Sequence, residues 1–325
     1  MTSSIPAKLP VDDTTEKQLG RGESKLENGV AGRTKRRLTS RTATIAALII
    51  AVLWTLPTFG LFVSSLRPAA LVNTTGWWTI FENWGFTFDN YVDVLQSGNG
   101  TLDLAGAFVN SLAITIPATV FPLVIASLAA YAFAWIDFRG KDWLFIGVFA
   151  LQIVPIQMAL VPLLSLLSRG VQSGGTQLFD GLNASGSYGQ VWIAHTIFAL
   201  PLAIFLLHNF VSEIPRELVE AARVDGAGHG QIFFRIVLPL TMPAIAAFSI
   251  FQFLWVWNDL LVALVFADGA VAPMTKLLAE ITGSRGQDWH LLTAGAFISI
   301  LVPLVVFFAL QRYFVRGLLA GSTKG

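Results

Sequence analysis

Residues 216–240 read RELVEAARVDGAGHGQIFFRIVLPL, and the stretch sits between two long apolar windows. Arg216, Glu217, Glu220, Arg223 and Asp225 put five charges into ten residues. An Arg, Lys or Asp at the centre of a membrane span costs roughly 2.5–3.5 kcal/mol, so five would cost about 12–18 kcal/mol. Residues 216–225 therefore do not cross a bilayer, although they can be helical. Pro215 suits a first helical position. Arg216, Glu217, Glu220 and Arg223 then share one face, while Leu218, Ala221, Ala222 and Asp225 follow the other stripe. Gly226 is placed as the left-handed residue that closes the helix. A second short helix follows, with Ile232, Phe233 and Ile236 on one side, and Pro239 marks the start of the next apolar run. The expectation is a helix–turn–helix hairpin between two membrane spans. The competing reading, a solvated linker, would not need an amphipathic helix, paired alanines and a terminating glycine together.

Cutting the chain at every Asp, Glu, Lys and Arg leaves six long charge-free windows: 42–66, 104–136, 143–168, 181–212, 236–258 and 289–311. Each exceeds the roughly 18 residues that mark a candidate transmembrane helix. Only 13% of the 325 residues are charged, against roughly 25% in a soluble domain, and the mean hydropathy is +0.65. The expected fold class is an all-α integral membrane protein with six transmembrane helices. Pro57, Pro117, Pro122, Pro155, Pro162, Pro201, Pro243 and Pro303 fall inside the windows. Such prolines are tolerated where neighbouring helices, Ser/Thr or water satisfy the freed carbonyls. The absence of cysteine excludes disulfides, thiol catalysis and cysteine metal sites.

Lys and Arg gather on the cytoplasmic side of a membrane protein. With six spans and the N-terminus inside, the inner segments 1–43, 137–142, 212–236 and 312–325 hold 17 of the 21 basic residues. That places both termini and the hairpin in the cytoplasm. The first 43 residues are too long and polar for the n-region of a cleavable signal peptide. The expected organisation is a disordered tail over 1–43, a first span over 44–66, an outer loop over 67–103, a five-span core over 104–316 and a C-terminal tail over 317–325. Trp77, Trp78 and Trp84 in the outer loop suit either the headgroup level of the bilayer or contact with an outside partner.

The hairpin also carries a longer pattern: Glu220-Ala221-Ala222, three residues, Gly226, nine residues, then Ile236-x-Leu238-Pro239. This resembles, without departure, the EAA loop of the permeases of ATP-binding-cassette importers. From about Trp77 onward the chain is similar to the six-span sugar permeases of maltose-type systems, and most of all to alpha-glucoside permeases. FTFDNY at 86–91, FVNSLAITIPAT at 108–119, AAYAFAW at 129–135, FLWVWNDLLVAL at 253–264 and the tail LQRYFVRGLLAGSTKG carry that likeness. The resemblance implies a type I importer permease bundle with a cytoplasmic coupling-helix hairpin. Its coupling residues would be Glu220, Ala221, Ala222, Asp225, Gly226, Ile236, Leu238 and Pro239. It further implies a second homologous permease, two ATPase subunits and an extracytoplasmic solute-binding protein as partners. No cofactor belongs to this chain itself, because ATP and Mg are bound by the ATPase. The cell membrane is its location, and nucleic acid is not a partner.

The chain has no GxxxxGK[ST] run, and GAGHG at 226–230 lacks the spacing of a phosphate loop. His195, His208, His229 and His290 show no metal-ligand spacing, and no nucleophile–base set is visible. An intramembrane enzyme is therefore disfavoured. A stand-alone secondary transporter or channel for a small polar solute is the alternative, but such carriers place ionisable residues within several spans. Asn73-Thr74-Thr75 and Asn183-Ala184-Ser185 match the short glycosylation pattern. Asp259, beside Trp257 and Asn258, is the acidic residue of span 5. Counted from Val237 it lies about 33 Å up a helix, close to the roughly 30 Å hydrocarbon thickness. It reads either as a helix-bridging carboxylate or, with Trp257 and Asn258, as a candidate outer gate of the transport path.

Overall fold

The computed structural model describes residues 41–98, 102–173, 176–181, 186–281 and 288–320, and for 310–320 the backbone alone. The tail over 1–40, Asn183-Ala184-Ser185 and the last five residues lie outside the described residues. The chain divides into two compact units, Met1–Leu61 and Phe62–Gly325. The described part of the first unit is residues 41–61 of helix α1 (Arg41–Ser65), which is largely apolar on all sides, with Trp54 79% exposed.

The second unit opens with a folded outer segment containing α2 (Ala69–Thr74), a 3-10 turn at Trp77–Phe81 and α3 (Asp89–Gln96). Its organiser is Arg67, which is fully buried. The guanidinium donates to the Gly76 carbonyl at 2.8 Å and to the Thr75 and Thr79 hydroxyls at 2.8 and 3.2 Å. Asn90 donates to the Ser65 and Arg67 carbonyls at 2.9 and 2.7 Å, tying α3 to the end of α1. Trp78, Phe81 and Trp84 remain exposed.

The bundle itself comprises α4 (Leu104–Trp135), α5 (Lys141–Ala150), α6 (Ile156–Arg169), α7 (Tyr188–Ser212), α8 (Arg216–Val224), α9 (His229–Ile232), α10 (Leu238–Trp257), α11 (Leu261–Phe266), α12 (Met274–Ile281) and α13 (Trp289–Ala320). Among the described residues, five helices are long and apolar enough to cross a membrane, or six if a bent pair counts as one span. That pair is the third sequence window: residues 141–153 and 156–169 meet at 107°. The cause is local. Pro155 offers no N–H to a helix, and Val154 before it takes ψ 118, the extended conformation that a following proline favours. Two short strands, Gly170–Ser173 and Thr176–Asp180, pair antiparallel after α6, where the sequence suggested only a loop.

α4 and α7 make the most extensive contact. Ala107, Ser111, Ala118, Pro122, Ala126 and Ala130 form a stripe of small residues down α4, and Ala194, Ala199 and Ala203 do the same on α7. Small side chains let membrane helices approach closely, which maximises dispersion where no hydrophobic drive exists between them. α10 packs on α4 and on α13.

Three of the in-span prolines find a side-chain donor from a neighbouring helix for the carbonyl they free. Pro117 cannot donate to the Ala113 carbonyl one turn back; Trp192 Nε1 on α7 donates there instead at 2.9 Å. Pro122 frees the Ala118 carbonyl, which accepts from Gln252 Nε2 on α10 at 3.3 Å. Pro303 frees the Ser299 carbonyl, which accepts from Trp257 Nε1 at 3.0 Å. Interhelical hydrogen bonds of this kind average about 0.6 kcal/mol and reach roughly 1–2 kcal/mol in membranes.

Candidate functional site

The hairpin expected from the sequence is present as α8, a glycine turn and α9. Pro215 caps α8 rather than opening it, with φ -55 and ψ 131. Glu217 lies in the first turn and Arg223 in the last, each at the helix end whose dipole favours its charge. The helix closes in a Schellman motif: the Gly226 N–H donates to Arg223 O at 3.0 Å and the Ala227 N–H to Ala222 O at 2.9 Å. Gly226 has φ +81, and a Cβ there would meet nothing within 4 Å. Backbone conformation, not crowding, calls for glycine at this position.

α9 begins where the Gly228 N–H donates to Gln231 Oε1 at 3.2 Å. It runs through a π-helical turn, Phe233–Val237, directly into α10. Pro239 lies at the start of α10, within a helix that is continuous from His229 to Trp257. Its missing N–H disrupts the ladder where the wider turn occurs, and Thr241 Oγ1 donates to the Val237 carbonyl at 2.9 Å.

One side of the hairpin is fastened to the bundle. Val219, Ile232 and Val237 are buried in a single cluster with Ala130, Leu207 and Val211. The Tyr131 hydroxyl and His229 Nδ1 are 2.8 Å apart, their rings edge to face. Arg223 donates to the Trp135 carbonyl, the last of α4, at 3.2 Å. Lys141, Arg216 and Arg223 border a polar recess of about 400 Å³, at the C-terminal ends of α4 and α7 where cations are favoured. The side buried against the bundle is centred on Val219, while Leu218 and Ala221 of the small, apolar stripe face outward and Ala222 is half-buried. The free side thus combines Leu218, Ala221 and Val224, the last 88% exposed, with Glu217, Glu220 and Asp225. Ile236 and Leu238 are half-buried and belong to the connection with α10.

At the other end of α10 the helix stops at Trp257, so Asp259 lies in the break before α11 and not within the span. Its Oδ2 accepts from the Val262 and Ala263 N–H groups at 3.0 and 3.1 Å, capping α11. The same oxygen is 3.8 Å from His195 Nε2 on α7, and the Asp259 carbonyl accepts from Thr275 Oγ1 at 2.6 Å. Asn258 is exposed, whereas Trp257 is 2% exposed and packs between Phe108 and Phe253. Sequence reasoning missed the bonds of Trp192, Gln252 and Trp257 to the proline-freed carbonyls; the prolines were the available signal, but their partners are remote in sequence.

Residues 97–319 match the family described as the binding-protein-dependent transport system inner membrane component. The chain belongs to that family. It is a multi-pass membrane protein and a transport subunit, and the stand-alone carrier reading is not favoured. Over 286 residues, 86% of this chain and 91% of the relative, it is 54% identical to GgtD, the osmoprotective compounds uptake permease protein of Synechocystis sp.. Over 242 residues, 74% of this chain and 61% of the relative, it is 52% identical to AglG, the alpha-glucoside transport system permease protein of Rhizobium meliloti. Among solved structures, a chain of the bacterial alginate ABC transporter, crystallised with its alginate pentasaccharide-bound periplasmic protein, superposes with TM-score 0.61. That match has 16% identity and covers 85% of this chain and 95% of the other, a likeness of fold.

Proposed function

We propose that the chain is one of two homologous permeases that together form the path for an alpha-glucoside or related oligosaccharide. An extracytoplasmic binding protein delivers the sugar, and two ATPase subunits, which bind the ATP and Mg, drive its import. The alpha-glucoside and sugar names of the relatives support the substrate class. The observation that carries the coupling role is the hairpin's two-sided character. One side is locked to α4, α7 and α10, and the other offers exposed Val224 and Leu218 ringed by Glu217, Glu220 and Asp225. An apolar patch with an acidic rim on a rigid lever suits a cleft on an ATPase with basic edges. Both termini and this hairpin lie in the cytoplasm in this reading. The break at Trp257, Asn258 and Asp259 forms the outer end of the path, with Trp257 as its anchor and Asn258 exposed.

The test is reconstitution. The permease pair, its ATPase and its binding protein in proteoliposomes should take up radiolabelled sucrose, trehalose or maltose only with ATP and the binding protein. Uptake that persists without the ATPase subunit would refute the reading.

A further inference from the structure

α7 and α10 are the two helices that the hairpin joins. Among the described residues, the three side chains that reach proline-freed carbonyls, Trp192, Gln252 and Trp257, project from this pair. All three acceptors lie on the helices packed against it: Ala113 and Ala118 on α4, Ser299 on α13. A helix carbonyl normally keeps its own N–H one turn on, so a neighbour's side chain does not steer the backbone there. Where proline removes that N–H, the ladder no longer fixes the bend, and the neighbour's side chain takes the donor's place. The Trp257 ring is itself held, stacked on Phe253 and edge-on to Phe108, and Trp192 stacks on Tyr188 with Phe121 edge-on. Gln252 is 1% exposed, and its Oε1 has no hydrogen-bond partner among the described residues. A leucine would bury the same volume without that orphan, so packing alone does not account for a glutamine here.

We propose that Trp192, Gln252 and Trp257 are positioning residues of the transport cycle. Each N–H fixes the bend of a proline hinge, at Pro117, Pro122 and Pro303 respectively, to the helix pair that carries the hairpin. A shift of the hairpin then re-angles α4 and α13 through single hydrogen bonds rather than by breaking their backbone ladders. The inference rests on the importer reading and adds the route by which the hairpin's movement reaches the rest of the bundle.

Substituting the proline separates this from simple carbonyl satisfaction, because Pro303→Ala returns the missing N–H to α13 itself. The assay uses the reconstituted complex, with radiolabelled sucrose and trehalose as probes, and reads assembled complex, ATP hydrolysed and sugar taken up per ATP. Trp257→Phe keeps the ring and loses the donor; its uptake per ATP should fall by about threefold or more, the scale of one membrane hydrogen bond. Trp257→Phe with Pro303→Ala should restore the amount of complex but not uptake per ATP, and Pro303→Ala alone should also be poorly coupled. Gln252→Leu with Pro122→Ala should repeat the pattern at the second hinge. Recovery of uptake per ATP in the double variants, or undiminished coupling in the proline variants alone, would overturn the proposal, and both read out even where Trp257→Phe fails to assemble. Uptake without ATP in the unaltered complex would instead overturn the importer reading, and the inference with it.

Discussion

Gly226 and Gly230 lie four residues apart in one hairpin, yet alanine should act at them with opposite signs. Gly226 closes α8 at φ +81, where an L-residue costs roughly 1–2 kcal/mol. Gly230 lies inside α9 with open space around its missing Cβ, where alanine gains up to about 1 kcal/mol in helix propensity. Gly226→Ala should therefore depopulate the closed turn by about 5–30-fold relative to the unaltered chain, at 1.4 kcal/mol per factor of ten. Gly226→Pro goes further: the ring holds φ near −65° and removes the N–H that donates to Arg223 O. The assay is the affinity of the detergent-solubilised permease pair for its ATPase, with sugar uptake in proteoliposomes alongside. Gly230→Ala should bind and transport at least as well as the unaltered chain, Gly226→Ala should bind more weakly, and Gly226→Pro should insert yet not transport. Normal docking by Gly226→Pro, or a loss in Gly230→Ala matching that in Gly226→Ala, would refute the link from turn geometry to coupling.

At the outer end, Asp259→Asn keeps an acceptor for the α11 cap but removes the charge facing His195, whereas Asp259→Ala removes both, costing about 0.5–2 kcal/mol of capping. If the break is an outer gate, Asn should lower uptake and binding-protein-stimulated ATPase activity without lowering the amount of complex; an effect confined to Ala and to assembly would leave only the cap. Arg67→Ala deletes bonds to Gly76 O, Thr75 and Thr79, each worth roughly 1.5–3 kcal/mol for a charged donor. The melting temperature of the solubilised protein should drop markedly, and Arg67→Lys should recover only part of it. For orientation, the cysteine-free chain allows single-cysteine labelling. An impermeant maleimide on whole cells should label Asn83→Cys but not Arg139→Cys, both positions being exposed, and the reverse pattern would invert the topology.

The hairpin was legible because its signals are local. Helix, Schellman glycine and charge pattern all act within about ten residues, and Gly226 adopts the expected left-handed conformation. The spans were legible because length and absence of charge suffice for them. What the sequence concealed depends on three-dimensional partners. A charge-free window such as 143–168 does not disclose that Pro155 turns the chain by 107°, since hydropathy is blind to direction. The buried side of α8 turned on Val219 because that residue meets Leu207 and Val211 from α7, and helical periodicity alone left the choice between adjacent stripes open. Nothing in the sequence around Arg67 marks it as buried; the folded segment supplies its three neutral acceptors. The donors at the proline-freed carbonyls come from as far as 134 residues away, as Gln252 does to Ala118.

Val224 offers the most direct measurement of the central claim that the free side of the hairpin receives the ATPase. It is 88% exposed in the isolated chain and sits between Glu220 and Asp225. With Val224→Cys as the sole cysteine, the rate of maleimide labelling can be compared in the permease pair alone and in the complete complex with its ATPase. The account predicts rapid labelling of the pair and protection once the ATPase is bound, reversed when the ATPase is stripped away. Equal labelling in a complex that hydrolyses ATP and transports sugar would contradict it.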